Sequence, residues 1–474
     1  MSPYLSPILS PSITTPPSLD TTPSVSRQLS TTSIQGLADF IVCASTSSHL
    51  PERRVEVVKE EGLRHAKISL EARHYKTPVF AAHLLDLLRT LRIPSWSNSA
   101  IKSEDIVVRK ISGALTNAVF FVSSIGLVKT NTLLLRIYGP SSGSLISRPR
   151  ELHTLHMLSS QYHIGPIVYG TFENGRIEEY FESTTLTPND IRDPLISRWI
   201  GARMAELHSV DIDVVEGNST QTGEPKGRET GVERNVRSWL APARQVLALP
   251  SISDIVRRDL DLHRFEQEWH RYMLWLSKVD DLHTGRRRVF AHNDTQYGNL
   301  LRLKHPSEGL DEHRQVCDIN NYPNYPYRIL KLAHLKIIVV DFEYASSNPA
   351  AFDIANHFHE WTANYHSSTP HLLDFTRYPS FQERRNFYIA YVQHTTVLGE
   401  DPVMEAPDLE RLVLDLDQQV RNWSPASHAM WAIWGIVQAR EDIEGNIADP
   451  EFDYIGYARG RLAAFRKEIQ ILGL

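Results

Sequence analysis

The sequence predicts an α+β protein of two lobes, a small antiparallel-sheet lobe followed by a larger, mainly helical lobe. Three observations carry this. The first half holds short apolar runs of strand length separated by small polar turns, one of them an Asn-Gly pair, the strongest short hairpin signal. From residue 182 onward the apolar spacing lengthens toward the helical period. A length of 474 residues exceeds what one compact core holds and suits two packed lobes.

In chain order, residues 1–35 are dominated by Ser, Thr and Pro and cannot bury enough apolar surface to offset chain entropy, so they read as disordered. Within them Arg27-Gln28-Leu29-Ser30 has the form of a basophilic phosphorylation site, although a chance match in a serine-rich tail is the plainer reading. Order is expected from near residue 70, making 1–70 an extension, 71–181 the first lobe and 182–474 the second. Phe80 to Leu88 reads as a helix closed before Pro94. Ile106–Val108, Ile111–Val122 and Thr132–Tyr138 give three strands, and RELHTLHMLSSQ (149–160) a helix. Ile167–Phe172 and Arg176–Phe181 form the hairpin around Glu173-Asn174-Gly175. The first half is therefore expected to be an antiparallel sheet with one helix inserted after its third strand.

Beyond it, Ser197–His208 and Phe265–Leu276 are amphipathic helices, and short strands fall around Asn299–Leu303 and Leu335–Val340. The polar stretches 211–235 and 305–330 read as a mobile loop and an insertion. The apolar fraction of 41% and charged fraction of 22% are those of a soluble globular protein, and a net charge of −6 leaves no nucleic-acid footprint. Arg286-Arg287-Arg288 leads into Val289-Phe290 and reads as the solvated start of a strand. Cys43 and Cys317 have no metal or redox spacing, which fits a reducing compartment. No apolar run has membrane-spanning length, and no basic residue precedes Arg27, so no leader is expected and the cytoplasm is the default location.

The densest chemical signal is VFAHNDTQYGNLL (289–301). A carboxylate, Asp294, lies on a loop after a short strand, and an amide, Asn299, follows five residues later. Phosphoryl transfer needs this pairing: an acceptor for the proton of the attacking hydroxyl, and an oxygen ligand for magnesium on the phosphates. Alone it also fits a surface acid and a turn residue. LKIIVVDFEY (335–344) then supplies a buried strand ending abruptly in acids, with Asp341 placed as a divalent-metal ligand. The ordered pair, H-x-D-x4-N followed by strand-D-F-E, is specific.

This pair resembles the catalytic and metal loops of the choline/ethanolamine kinase family, which is related to protein kinases and aminoglycoside phosphotransferases. The resemblance runs from about residue 105 to the C-terminus and is strongest in HNDTQYGNLL (292–301), VDFEYASSNPAAFDIANHFHEW (340–361) and WAIWGIVQA (431–439). It implies a protein-kinase-like two-lobed fold, with ATP and Mg2+ as cofactors. Asp294 becomes the base, Asn299 and Asp341 the metal ligands with Glu343 in support, and His292 and Asp353 loop-bracing residues. Gly113, Thr116 and Asn117 would belong to the loop over the phosphates, although Ala114 stands where the family often has a second glycine. Arg136 would contact phosphate with Glu151 as its ion-pair partner, and the backbone of Glu178 to Phe181 would be the adenine hinge.

Trp431 and Trp434 share one helical face, with Tyr454 and Tyr457 following and Glu360, Trp361 and Tyr365 behind the metal loop. A tryptophan stripe is ordinarily core. Aromatic faces beside a carboxylate are also what a quaternary ammonium needs, because it offers no N–H donor. The resemblance assigns Glu360, Tyr365, Trp431, Trp434, Tyr454 and Tyr457 to a choline pocket, with Gln296 at its edge. It implies phosphorylation of choline to phosphocholine, the first step of phosphatidylcholine synthesis. Ethanolamine kinase is the nearest alternative, and an inactive scaffold of the same fold the alternative of another class. A homodimer is left open.

Overall fold

The computed structural model describes residues 55–58, 62–113, 117–126, 128–138, 148–217, 229–280, 288–304, 336–398, 406–447 and 450–474. The expectations for the 1–35 tail, Ser30, Thr116 and the 305–330 insertion lie outside these residues.

The β-branched runs of the first half pair into one seven-stranded sheet. Its strands are β1 (Val55–Val58), β2 (Leu63–Ala66), β3 (Ile106–Gly113), β4 (Asn117–Ser124), β5 (Leu133–Tyr138), β6 (Val168–Phe172) and β7 (Gly175–Glu179), in the order β1-β2-β6-β7-β5-β4-β3. Two expectations are corrected here. The sheet begins at Val55, ahead of residue 70, and it is not wholly antiparallel, because β2 runs parallel to β6 (His65 opposite Thr171). Helix α1 (Pro78–Thr90) starts where the Thr77 hydroxyl accepts from the Phe80 N–H and Pro78 needs no donor partner. Its Phe80, Leu84 and Leu88 close over Phe120, Leu135 and Ile177 as one small core. The fully buried Trp96 closes that core and satisfies its indole N–H on the Asn131 carbonyl, 2.9 Å away. Helix α2 (Arg148–Gln161) follows β5, and its Leu155 and Leu158 belong to the larger core of the second lobe.

The chain crosses between lobes from β7 to β8 (Ser183–Thr185), the edge of a three-stranded sheet completed by β10 (Leu300–Leu303) and β11 (Ile337–Val339). A second ribbon pairs β9 (Arg288–Ala291) with β12 (Ser346–Pro349). Around them lie α3 (Pro194–His208), α4 (Ile212–Glu216), α5 (Gly231–Leu247), α6 (Asp254–Asp259), α7 (Leu262–Val279), α8 (Ala350–Glu360), α9 (Phe381–Leu398), α10 (Ala406–Gln438), α11 (Arg440–Glu444) and α12 (Tyr454–Ile471). The long α10 packs on α5, α8 and α12. The reading of 211–235 as a loop is corrected at both ends. Asp211 caps α4, and Thr230 with Glu233 forms a capping box that starts α5. That Thr-x-x-Glu signal was present in the sequence.

Candidate active site

Asp294 stands on the loop leaving β9, and the loop is held by buried polar groups rather than by regular structure. Asn293 adopts φ +66°, a left-handed conformation that asparagine tolerates better than most residues. Its side chain donates to the Tyr344 carbonyl (2.8 Å) and the Ser346 hydroxyl (2.9 Å) and accepts from Asn348 (2.8 Å). The fully buried Asp353 accepts from the backbone N–H groups of His292 (2.9 Å) and Asn293 (2.8 Å) and from His208 Nε2 (3.0 Å). Burial, the largest single influence, works against its charge, but His208 and His292 together hold Asp353 below the usual carboxylate range. His292 bridges to the acidic strand end, with Nε2 3.1 Å from the Val340 carbonyl and Nδ1 accepting from the Asp294 N–H at 3.2 Å. Burial keeps this imidazole neutral, which suits one donor and one acceptor nitrogen.

Strand pairing brings the two halves of the motif together. Leu300 lies opposite Val339 in an antiparallel pair, so Asn299 just before β10 faces the residues just after β11. The Val340 N–H donates to the Asn299 carbonyl at 3.0 Å. The Asn299 amide nitrogen donates to Asp294 Oδ2 and to the Asp294 carbonyl, each at 2.9 Å, so its Oδ1 is the amide atom that could serve a metal. Asp341 sits at φ +70° at the end of the strand, and its Oδ1 is buried without a hydrogen bond among the described residues. A carboxylate oxygen that accepts no hydrogen bond, beside a second hard oxygen, fits magnesium. Glu343 is half-buried in the turn that follows. Phe342 anchors that turn on His292 (ring centroids 5.0 Å apart) and on Gly165, where φ is +76° and a Cβ would come within 2.8 Å of the Phe342 ring.

The Asp294 carboxyl has a raised affinity for its proton. Burial is the largest cause, and the negative charges of Glu360 and Asp341 add to it, against hydrogen bonds from Asn299 and Gln296. Such a shift brings a carboxylate toward the working range of a general base.

The first lobe reaches this centre through Arg136. It faces Glu178 (3.5 Å) and Asp341 (3.9 Å), and its Nε and Nη1 make no hydrogen bond among the described residues. The expected pairing of Arg136 with Glu151 is redrawn by a residue the sequence reading missed. Arg176 lies directly opposite Arg136 in the β5–β7 pair; it takes Glu151 at 2.8 Å and also pairs with Glu178. Two arginines face to face on a sheet repel, and the two glutamates offset that repulsion. Gly113 closes β3 and Asn117 opens β4, opposite Tyr138.

On the other side of Asp294 the aromatic residues converge. Trp434 meets Trp431 edge-on at 5.2 Å, Tyr454 at 5.7 Å and Tyr457 at 6.0 Å. Gly435 permits this, because a Cβ there would lie 3.0 Å from the Tyr457 ring and 3.1 Å from the Tyr454 carbonyl. Tyr344, another residue the sequence reading missed, accepts from the Trp434 indole at 2.9 Å and stacks edge-on with Trp431 at 5.4 Å. Trp431 is also core: it is 5% exposed, and its indole donates to Asn356 at 2.7 Å. Burial, above all, pushes up the phenols of Tyr344, Tyr365 and Tyr457, and the charge of Asp294 contributes to each, so all three lie around the base. Glu360, the carboxylate expected beside these aromatic faces, has two partners of its own. Tyr365 donates to its Oε2 at 2.8 Å, and Arg461 Nη2 lies 3.3 Å from its Oε1.

A buried carboxylate, an acidic strand end and a basic residue from a sheet lobe that reaches the strand end accord with a phosphotransferase of protein-kinase-like architecture. Residues 108–466 match the model of the Choline/ethanolamine kinase family, and the chain belongs to that family. It is 33% identical over 444 residues to the choline kinase of Schizosaccharomyces pombe, covering 84% of this chain and 90% of the relative. It is 30% identical over 459 residues to the choline kinase of Saccharomyces cerevisiae, covering 82% and 76%. The fold is that of the choline kinase structure from Cryptosporidium parvum (TM-score 0.60, 24% identity, covering 82% of this chain and 95% of that one).

Proposed function

We propose that the protein transfers a phosphoryl group from ATP to the hydroxyl of choline, with ethanolamine as a poorer substrate. The observation that carries this reading is the placement of Asp294 between the Asp341 oxygen that accepts no hydrogen bond among the described residues and an aromatic wall that includes Trp434 and Tyr457. Asp294 accepts the hydroxyl proton as the oxygen attacks phosphorus, held in line by Asn299 and Gln296. Arg136 meets phosphate oxygens from the first lobe with the two nitrogens that face Glu178 and Asp341 without a hydrogen bond. Asp341 and Asn299, with Glu343 in support, would hold magnesium, which when bound neutralises charge on the phosphates. The trimethylammonium group rests on the faces of Trp434, Tyr454 and Tyr457 and near the charge of Glu360, while Trp431 backs the wall. The test is phosphorylation by the purified full chain with ATP, magnesium and a panel of amino alcohols. Choline should give the highest kcat/KM; a protein that turns over ethanolamine better, or neither amine, would overturn the reading.

A further inference from the structure

Arg461 is 1% exposed and touches no group that reacts, yet among the described residues it is the cation that pairs with the carboxylate expected to meet the substrate. It projects from α12 one helical turn after Tyr457, with its guanidinium carbon 5.1 Å from that ring's centroid, so it lies behind the aromatic wall. One nitrogen faces Glu360 Oε1 at 3.3 Å; another faces Nδ1 of the fully buried His428 on α10, also at 3.3 Å. His428 in turn packs at a tilt against His359, their ring centroids 3.9 Å apart, and its Nε2 lies 3.7 Å from Glu468. His359, His428 and Glu468 hold their ligand atoms within 4.8 Å of one another, but a guanidinium against His428 disfavours a further cation there.

We propose that Arg461 is a positioning residue for the substrate ammonium: it fixes Glu360 in place as a carboxylate, and His428 fixes Arg461 from behind. The inference rests on the reading of this pocket as an ammonium site. Its physical basis is the cost of an isolated buried charge. Glu360 is surrounded by groups that cannot stabilise an anion by themselves. Tyr365 offers one hydrogen bond, Tyr297 and Tyr457 are neutral phenols, and Asp294 repels. Burial pushes the Glu360 carboxyl up, and Arg461 is the largest influence bringing it down. His428 can accept from Arg461 because burial, and the neighbouring guanidinium itself, keep its ring neutral.

Without Arg461 the carboxyl holds its proton, and an ammonium then binds only the ionised fraction. Apparent affinity falls as that fraction falls, about tenfold for each pH unit below the new pKa. The experiment measures kcat and KM for choline between pH 6 and 9 in wild type, Arg461→Met, Arg461→Lys, His428→Leu and His428→Asn, the last keeping an acceptor near the Nδ1 position. Arg461→Met should raise KM far more than it lowers kcat, with the deficit growing as pH falls, and Arg461→Lys should restore most of the wild-type KM. His428→Leu should raise KM in the same pH-dependent sense, and His428→Asn should not. A wild type that fails to phosphorylate choline defeats the pocket reading. An active wild type whose Arg461→Met variant shows an unchanged KM, or a loss independent of pH, defeats this inference. If Arg461→Met does not fold, the His428 pair decides: equal KM for Leu and Asn overturns it.

Discussion

Replacing Trp434 by leucine separates the aromatic wall's contribution to substrate choice from its contribution to folding. The indole donates one hydrogen bond, to Tyr344 at 2.9 Å, and meets three rings edge-on at 5.2, 5.7 and 6.0 Å. Edge-to-face pairs contribute about 0.5–1.5 kcal/mol each. The hydrogen bond adds about 0.5–1.5 kcal/mol. The folding cost therefore lies at about 2–6 kcal/mol before leucine's own packing offsets part of it, so the melting temperature should drop measurably. The substrate feels a different loss. A desolvated ring under a trimethylammonium contributes about 0.5–2 kcal/mol, so KM for choline should rise about 2- to 30-fold. Ethanolamine can donate N–H groups to Glu360 and should lose less. Trp434→Phe is the control: it keeps a π face while removing the bond to Tyr344. Kinetics on both amines, below the melting point of each variant, give the answer. If leucine lowers kcat/KM equally for choline and ethanolamine, or if phenylalanine does as much harm as leucine, Trp434 is packing and not a cation site.

Asp294→Asn should lower kcat by about 10²–10⁴-fold with ATP binding nearly intact, as kinetics and calorimetry would show. The same variant should be more heat-stable than wild type at neutral pH. The folded-state carboxyl of Asp294 is raised, so its stabilising contribution is complete below about pH 4 and is lost as pH rises through the folded value. The gap in melting temperature should therefore open with pH, and a gap that closes would contradict the raised affinity. For the same reason wild-type kcat should rise with pH along a limb set by the base. Asp341→Ala should abolish turnover and weaken magnesium-dependent ATP binding in calorimetry; unchanged binding would remove Asp341 from the metal. Gly165→Ala places a Cβ at φ +76° and within 2.8 Å of the Phe342 ring, so it should lower both stability and kcat by shifting the Asp341 turn, and wild-type values for both would refute that coupling.

The parts legible in the sequence are those whose partners are close along the chain. Asp294, Asn299 and Asp341 lie on two short motifs, and the pairing of Leu300 with Val339 follows once both are strands. The Glu173–Gly175 hairpin was legible for the same reason. The parallel contact of β2 with β6 was not, because it joins residues about a hundred positions apart and leaves no local period. The family resemblance paired Arg136 with Glu151 on the helix that follows its strand. The competitor Arg176 becomes visible only when the register of β5 on β7 sets the two arginines opposite each other. The capping box at Thr230 was local and still went unread, since a polar Gly/Thr-rich stretch outweighed it.

Glu360 shows where a physical rule could have gone further than the pattern. A carboxylate expected to be buried among tryptophans and tyrosines cannot stay ionised without a cation or several donors. The pocket reading therefore already required a basic residue, even before a substrate arrives. Among the arginines of the last helix, Arg461 alone falls one turn from Tyr457 on the side that carries the ring, whereas Arg459 turns away to Asp259 and Arg466 reaches Glu268. The distance along the chain from Glu360 to Arg461 hides the pair from any motif, but helical spacing combined with charge balance points to it.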